Sequence, residues 1–538
     1  MGKKIGIDLG TTYSCVAYLN ENEALEVLKN SEGSNVTPSL VFFASESNVV
    51  VGETARAESM YAPENLVERI KSYMGDPDYT INKFGEDFSP TAVSSLILRK
   101  LKKDAEEALG DTIDGVVITC PAYFGTSARA ATQKAGEDAG LNVIQVINEP
   151  TAAAFAYAYV KNEDVDKTVL IYDLGGGTFD VTMLKMNFQG NTKDLKVLAS
   201  NGDHTLGGKD WDGALTDFVI EKFCEATGCD GDEMREDAEI MGWLSENIEK
   251  TKKKLSSLET VKLGVNWNGN KQMLEISRED FEGVTENLLN KTIDLVNAML
   301  NEKGMTMDQV DEIILVGGST RMTQVTKRLE SEYGKPLISF EPDEAVAKGA
   351  ALMAALAYNY SEGEGDSTGT AAPDIFADPN ATPAPDAGGC FTMKTGETIK
   401  ITDIVNKSYG VKVYDADEQK YYSVNLVKKG TEKPCEGDSS TIMPITLGGA
   451  SSITVCESDY EEDVVEAETT TEVFTGSISV FSGLPSDTAV VVKFNLNESS
   501  ILRIFVEAAG QTVELEFDSS KGGASTAGCE AAKRFSLS

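Results

Sequence analysis

Residues 1–360 alternate apolar runs of strand length with helical stretches. IGIDLGTTYSCVAYL and, much later, LIYDLGGGTFDVTML each read as strand, Asp-Leu-Gly, a Gly/Thr turn and a second strand. INEPTAAAFAYAYV (147–160) and EPDEAVAKGAALMAALAY (341–358) read as helices that open on acid and proline and carry small residues for close packing. The texture changes at 361. Residues 361–389 are rich in Gly, Pro, Ala, Thr and Asp with almost no apolar period, which predicts a linker. Beyond it, TIKITDIV, YGVKVYD, SISVF, AVVVKFNL, ILRIFVEA and TVELEF alternate with period two, so 390–520 predicts an antiparallel β-domain. Residues 521–538 hold Gly, Ser and Ala with little pattern and are expected to form a frayed tail. A chain of 538 residues is too long for one core.

Composition narrows the function. The net charge of −39 argues against nucleic acid or an anionic membrane as the main partner, because phosphates need Lys and Arg. No apolar run is long enough to cross a bilayer, and MGKKIGIDLG enters a strand with no signal peptide. Eight scattered cysteines without a CxxC pair predict neither a disulfide framework nor a zinc site, and point to a reducing, cytoplasmic compartment. His204 is the single histidine, which argues against His-ligated metals and Ser-His catalysis.

The twin turns carry the first chemistry. Glycine lets the backbone approach an anion, and successive N–H groups then form a nest for phosphate oxygens. Thr11, Thr12 and Thr178 can add hydroxyl donors. Asp8 and Asp173 suit such a place when magnesium bridges carboxylate to phosphate. One such turn is more often an ordinary hairpin; two copies with Asp before Gly favour a nucleotide between two related lobes. GxxxxGK[ST] and GxGxxG are both missing. In EIILVGGSTRM (312–322), Gly317 and Gly318 let a flat ring lie on the backbone, and Arg321 can stack on it. Glu149 precedes Pro150 at a helix start, where it acts as a cap or, facing a cleft, orients a water. Glu249, Lys252, Lys253 and Ser256 share one face of the basic stretch 245–259; alone, it reads as a solvated helix face.

Taken in order, IDLGTTYSCVA, ITCPAYF, INEPTAAAFAYA, DLGGGTFDVT, LGGKDWD and ILVGGSTRM with EPDEAVAKGAA resemble the 70-kilodalton heat-shock chaperone family of DnaK type over nearly all of residues 1–357. The resemblance implies an actin-like two-lobe ATPase, a duplicated ribonuclease H-like α/β fold, followed by an all-β sandwich that binds peptide. It implies that Asp8, Asp173 and Asp180 hold magnesium largely through water. Gly10, Thr11, Thr12 and Tyr13 would surround the phosphates opposite Gly175, Gly176, Gly177 and Thr178. Lys71, Glu149, Asp173 and Thr178 would be catalytic. Gly207, Gly208, Glu249, Lys252, Lys253, Ser256, Gly317, Gly318, Ser319, Arg321 and Asp343 would complete the nucleotide pocket. ATP/ADP and Mg2+ are the implied cofactors, with K+ a further candidate. Unfolded or extended polypeptide, a J-protein and a nucleotide-exchange factor are the implied partners. Pro121 and Arg129 resemble the relay between domains. Val411, Tyr414 and Ile453 fall near the implied peptide cleft.

Departures from that pattern matter. The linker lacks the family's run of leucines ending in Asp, and no helical lid follows the sandwich. Gln145 stands where the family has an arginine facing the J-protein, and the segment between Met74 and Pro90 is short, so an outer subdomain is expected to be reduced. The acidic stretch 457–472 reads as a solvated loop. Two alternatives stand beside a chaperone: a chaperone-derived regulatory ATPase with one specific protein partner, and an actin-fold small-molecule kinase.

Overall fold

The computed structural model describes residues 2–60, 62–161, 165–359, 389–392, 398–441, 445–515 and 525–537. Of the expected linker, 361–389, residues 361–388 lie outside them, while Gly389 opens the strand Gly389–Thr392. Two sheets form the frame of the first 360 residues. One has six strands, ordered Val143–Asn148, Ile113–Cys120, Lys3–Asp8, Tyr13–Leu19 and Leu25–Val27, with Val36–Pro38 also pairing Tyr13–Leu19. The other runs Leu337–Ser339, Glu312–Val316, Val165–Leu174, Phe179–Gln189, Thr192–Asp203, Thr398–Thr402 and Gly389–Thr392. The helices Glu149–Val160 and Ala345–Asn359 pack together between them. Their small residues permit this: a Cβ on Gly349 would stand 1.8 Å from the Ala152 carbonyl oxygen.

The twin hairpins share one register. Asp8 pairs with Cys15 and Asp173 with Asp180, seven positions on in both (15 − 8 and 180 − 173). Both aspartates therefore sit at the same step before a Gly/Thr turn. Residues 408–515 form two five-stranded antiparallel sheets closed over one apolar core, the expected β-sandwich.

Four expectations change. Thr398–Thr402, read as a sandwich strand, pairs parallel with Thr192–Asp203 and buries Ile399 and Ile401 in the lobe core. Period two gives the strand but not the sheet that receives it. Residues 525–537, read as a frayed tail, pack on the first lobe: Cys529, Ala531, Ala532 and Phe535 join its core. Four apolar residues unevenly spaced among polar ones left little periodicity to read. Cys224 and Cys229, expected to be free, form a disulfide with Cα atoms 4.7 Å apart. Gly228, at φ 72°, ends the helix Gly208–Thr227 and turns Cys229 back on it. Val411 and Ile453 lie in the sandwich core rather than in an open cleft, while Tyr414 is exposed against Tyr421. Between Met74 and Pro90 there is one short hairpin, Ile81–Lys83 with Glu86–Phe88. No described helix is long and apolar enough to cross a membrane.

Candidate functional site: a phosphate cleft between the lobes

The two Gly/Thr turns meet face to face. A Cβ added at Gly176 would stand 2.1 Å from Thr12 Oγ1, and one at Gly177 2.6 Å from Thr11 Cγ2. Any side chain there would hold the lobes apart, so these two glycines are set by close approach. Gly10 lies in the first turn, its carbonyl accepting from Ser39 Oγ at 2.7 Å. Gly175 closes the second through its N–H to the Thr178 carbonyl. Thr11 and Thr178 are almost fully buried at this contact.

Near the turns Lys71 stands among four carboxylates, Asp8, Glu149, Asp173 and Asp180. Lys71 and Glu149 form an ion pair, both under 10 % exposed. Lys71 comes from the short turn Ile70–Tyr73 and Glu149 from the start of Glu149–Val160, so the first lobe supplies both. Burial pulls on the Lys71 ammonium, but Glu149 and Asp8 outweigh it and hold its pKa above the ordinary value. Burial, then repulsion from Glu149, pushes the Asp8 carboxyl up to about 7, although Thr119 donates to it at 3.3 Å. The same causes, with Asp180 and Asp8 added, raise Asp173 well above the carboxylate range. Asp180, also raised by burial and Glu149, accepts from the Ala122 N–H at 3.1 Å. Crowded oxygen ligands with too little positive charge are the donor set of a hard divalent cation. Among the described residues no three His, Cys, Asp or Glu side chains stand close enough to ligate one ion directly.

Most residues expected to line a nucleotide pocket come together on the second lobe, with Tyr13 from the first. Tyr13 donates to Glu249 at 3.1 Å, and Lys253 pairs with Glu249 at 2.8 Å. Lys252 donates to the Gly208 carbonyl and to Asp212, each at 2.8 Å. Ser319 Oγ donates to the Gly175 carbonyl at 2.9 Å, and Gly208 N–H to the same oxygen. Gly207 caps the helix that follows, against the backbone of Gly177. Gly317, at φ 82°, presses on Leu174 and Asp173; Gly318 abuts Asp343, which Arg321 holds at 2.5 Å. Ser256 caps its helix through its backbone and is not joined to this network.

Sequence reasoning named Arg129 for the relay between domains but missed the rest of a buried polar chain leading out of the cleft. Asn148, just before Glu149, accepts from Arg129 and donates to Asp403 at 2.9 Å. Lys433 of the sandwich pairs with Asp403 at 3.2 Å and donates to Ser500 at 2.8 Å. Burial lowers the Lys433 pKa and Asp403 raises it; burial wins. Asp403 follows the strand Thr398–Thr402, so IKITD occupies the lobe where a leucine run was expected to be lost. The signal was present as two alternating isoleucines and an Asp, but spaced as any edge strand is.

The family model for Hsp70 protein matches residues 4–364. The chaperone protein DnaK of Thermotoga neapolitana is 43% identical over 360 residues, covering 65% of this chain and 59% of that protein. The chain thus spans under two thirds of the length of the curated relative it matches. With the family model covering well over half of the chain, and the paired turns, lobes and sandwich in place, this protein belongs to the Hsp70 family.

Proposed function

We propose that this chain is an ATP-dependent molecular chaperone of the heat-shock type. It hydrolyses ATP to ADP and phosphate in the cleft, and the cycle controls binding of unfolded or extended polypeptide by the sandwich. The observation that carries the reading is the Lys71–Glu149 pair, set between Asp8 and Asp173 under two facing Gly/Thr turns.

The backbone N–H groups of Gly175–Gly177 and the hydroxyls of Thr11, Thr12 and Thr178 bind the phosphates. Lys71 donates to the γ-phosphate oxygens, where charge builds in the transition state. Glu149 accepts from the attacking water and orients it. Magnesium, held through water by Asp8, Asp173 and Asp180, would neutralise phosphate charge, and the unbalanced carboxylates fit that role. K+ is a candidate for the remaining carboxylate charge. Glu249, Lys252, Lys253, Ser319 and Arg321 grip the adenosine, which selects nucleotide over a hexose. The setting is cytoplasmic, with a J-protein and a nucleotide-exchange factor as partners; Gln145 weakens the J-protein contact.

Calorimetry with Mg-ATP, single-turnover hydrolysis, and peptide affinity with ATP against ADP test the reading. Tight Mg-ATP binding, phosphate release and a nucleotide-dependent peptide affinity are expected. No heat with Mg-ATP on folded protein would overturn it.

A further inference from the structure

Residues 525–537 do more than rest on the first lobe. The helix Cys529–Ala532 packs along the helix Pro90–Leu109. Phe535 inserts its ring edge-on to Phe43 (centroids 5.5 Å) and against Phe88 (5.8 Å). Arg99 donates to three carbonyls of the segment: Ala532 at 3.2 Å, Lys533 at 3.3 Å and Phe535 at 2.8 Å. The Ser89 N–H donates to the Ala527 carbonyl, and Ser536–Leu537 adds a parallel strand to Asn48–Val51. Gly528 fixes the seat. Its φ is +72°, and a Cβ there would stand 2.6 Å from both the Asp87 carbonyl oxygen and the Phe88 ring. Conformation and close approach both demand glycine at this position.

The segment follows the last sandwich strand, Gln511–Leu515, by nine residues (516–524). Ten steps of chain reach no more than about 36 Å, so the seated segment bounds how far the sandwich can travel from the first lobe. At its other end the sandwich is tied to the second lobe through Thr398–Thr402. Its own contact with the first lobe is polar, and Asn406 Nδ2 donates there to the Ala122 carbonyl. Val146 N–H donates to Ser499 Oγ at 3.2 Å, Leu502 N–H to Thr126 Oγ1 at 3.0 Å, and Thr126 N–H to Glu457 at 3.3 Å. A tether of this length holds such a contact at an effective concentration on the order of millimolar without adding to it.

We propose that residues 525–537 form a strap that fastens the sandwich to the first lobe and keeps the two docked. With one end tied to each lobe, the sandwich follows any rotation between them instead of swinging free. The strap seats beside the hairpin strand Glu86–Phe88: Gly528 abuts Asp87 and Phe88, and the Ser89 N–H donates to the Ala527 carbonyl.

The test cuts the tether after folding. A site-specific protease sequence is inserted after Ser520 in the full chain, and the purified protein is cleaved. Two results are expected. The 525–538 peptide stays with the protein through size exclusion, because it has its own seat. Amide exchange at Val146 and Leu502 rises about threefold or more, because docking has lost its tether. Gly528→Val in the uncut chain should raise the same two rates. A released peptide overturns the proposal, and so does exchange at Val146 and Leu502 that changes by less than about threefold on cutting. Both readouts are taken without added nucleotide and neither measures hydrolysis, so this inference can fail while the ATPase reading stands.

Discussion

The two lobes present the same hairpin and use it differently. In the first, Asp8 faces Cys15; in the second, Asp173 faces Asp180 at the same register. The first lobe adds the Lys71–Glu149 ion pair, while the second adds a further carboxylate, Asp180, and most of the residues expected to hold adenosine. The repeated hairpin thus gives a backbone that, on the proposed reading, would cradle phosphate from both sides. The side chains that diverged differ in charge, and on the proposed reading they divide the work: chemistry from the first lobe, charge for a cation and nucleotide recognition from the second.

Lys71→Ala breaks this division most severely. It should slow single-turnover hydrolysis by about 100- to 1,000-fold, as expected when a preorganised donor to developing charge is removed. Mg-ATP affinity, measured by calorimetry, should change far less, since the turns and the adenosine pocket remain. Thr178→Ala should act in the same direction with a smaller loss.

The next experiment exchanges the positions where the hairpins differ. Asp180→Asn removes one charge beside Asp173 while keeping an acceptor for the Ala122 N–H. Hydrolysis at limiting Mg2+ should fall by about 10- to 100-fold, the range for losing an outer partner of a metal site. Cys15→Ala, at the matching step, should stay within about twofold. Equal losses would mean that the hairpins are not specialised.

Much of this was legible in the sequence, for a physical reason. Phosphate cradles need glycine at fixed steps, and Gly176 and Gly177 can be nothing else where Thr12 and Thr11 press on them. Strands with two buried faces, such as Glu312–Val316, declare themselves as unbroken apolar runs. The remainder was illegible because it depends on partners distant in sequence. Ile399 and Ile401 alternate equally well for a sandwich or for the edge of a lobe sheet. Phe535 is one aromatic in a run of small residues, and only Phe43 and Phe88, over 440 positions away, give it a place. Lys433 reads as surface charge until Asp403 and Ser500 enclose it.

Phe535→Leu sharpens the contrast between lobes by thinning a core that only the first lobe borrows. A loss of about 1 kcal/mol is expected for this nearly volume-conserving change in a buried aromatic cluster. Hydrogen exchange should show it in Phe43 and Phe88 and their strands, and leave the core around Trp211 and Phe223 untouched.

The smallest effect comes from pH, and it separates the two attachments of the sandwich by sign. At the direct contact, burial raises the Glu457 pKa above its ordinary 4.5, against the opposing pull of Lys407 and the Thr126 N–H. A docked carboxyl that holds its proton more tightly gains docking as pH falls and loses it as pH rises through the raised value. At the strap, burial pushes Asp138 up, but Lys134 and Lys533 outweigh it and bring its pKa below the ordinary 3.8. That carboxylate stabilises the seated strap above pH 3.8, and its contribution disappears only as pH falls through the lowered value. Mild acid should therefore slow exchange at the Thr126 and Leu502 amides, after correction for the intrinsic rate, while the strap amide of Ser536 is unchanged. Glu457→Gln should abolish the first trend and leave the second. If both amide sets respond together, the sandwich and the strap grip the first lobe as one unit rather than two.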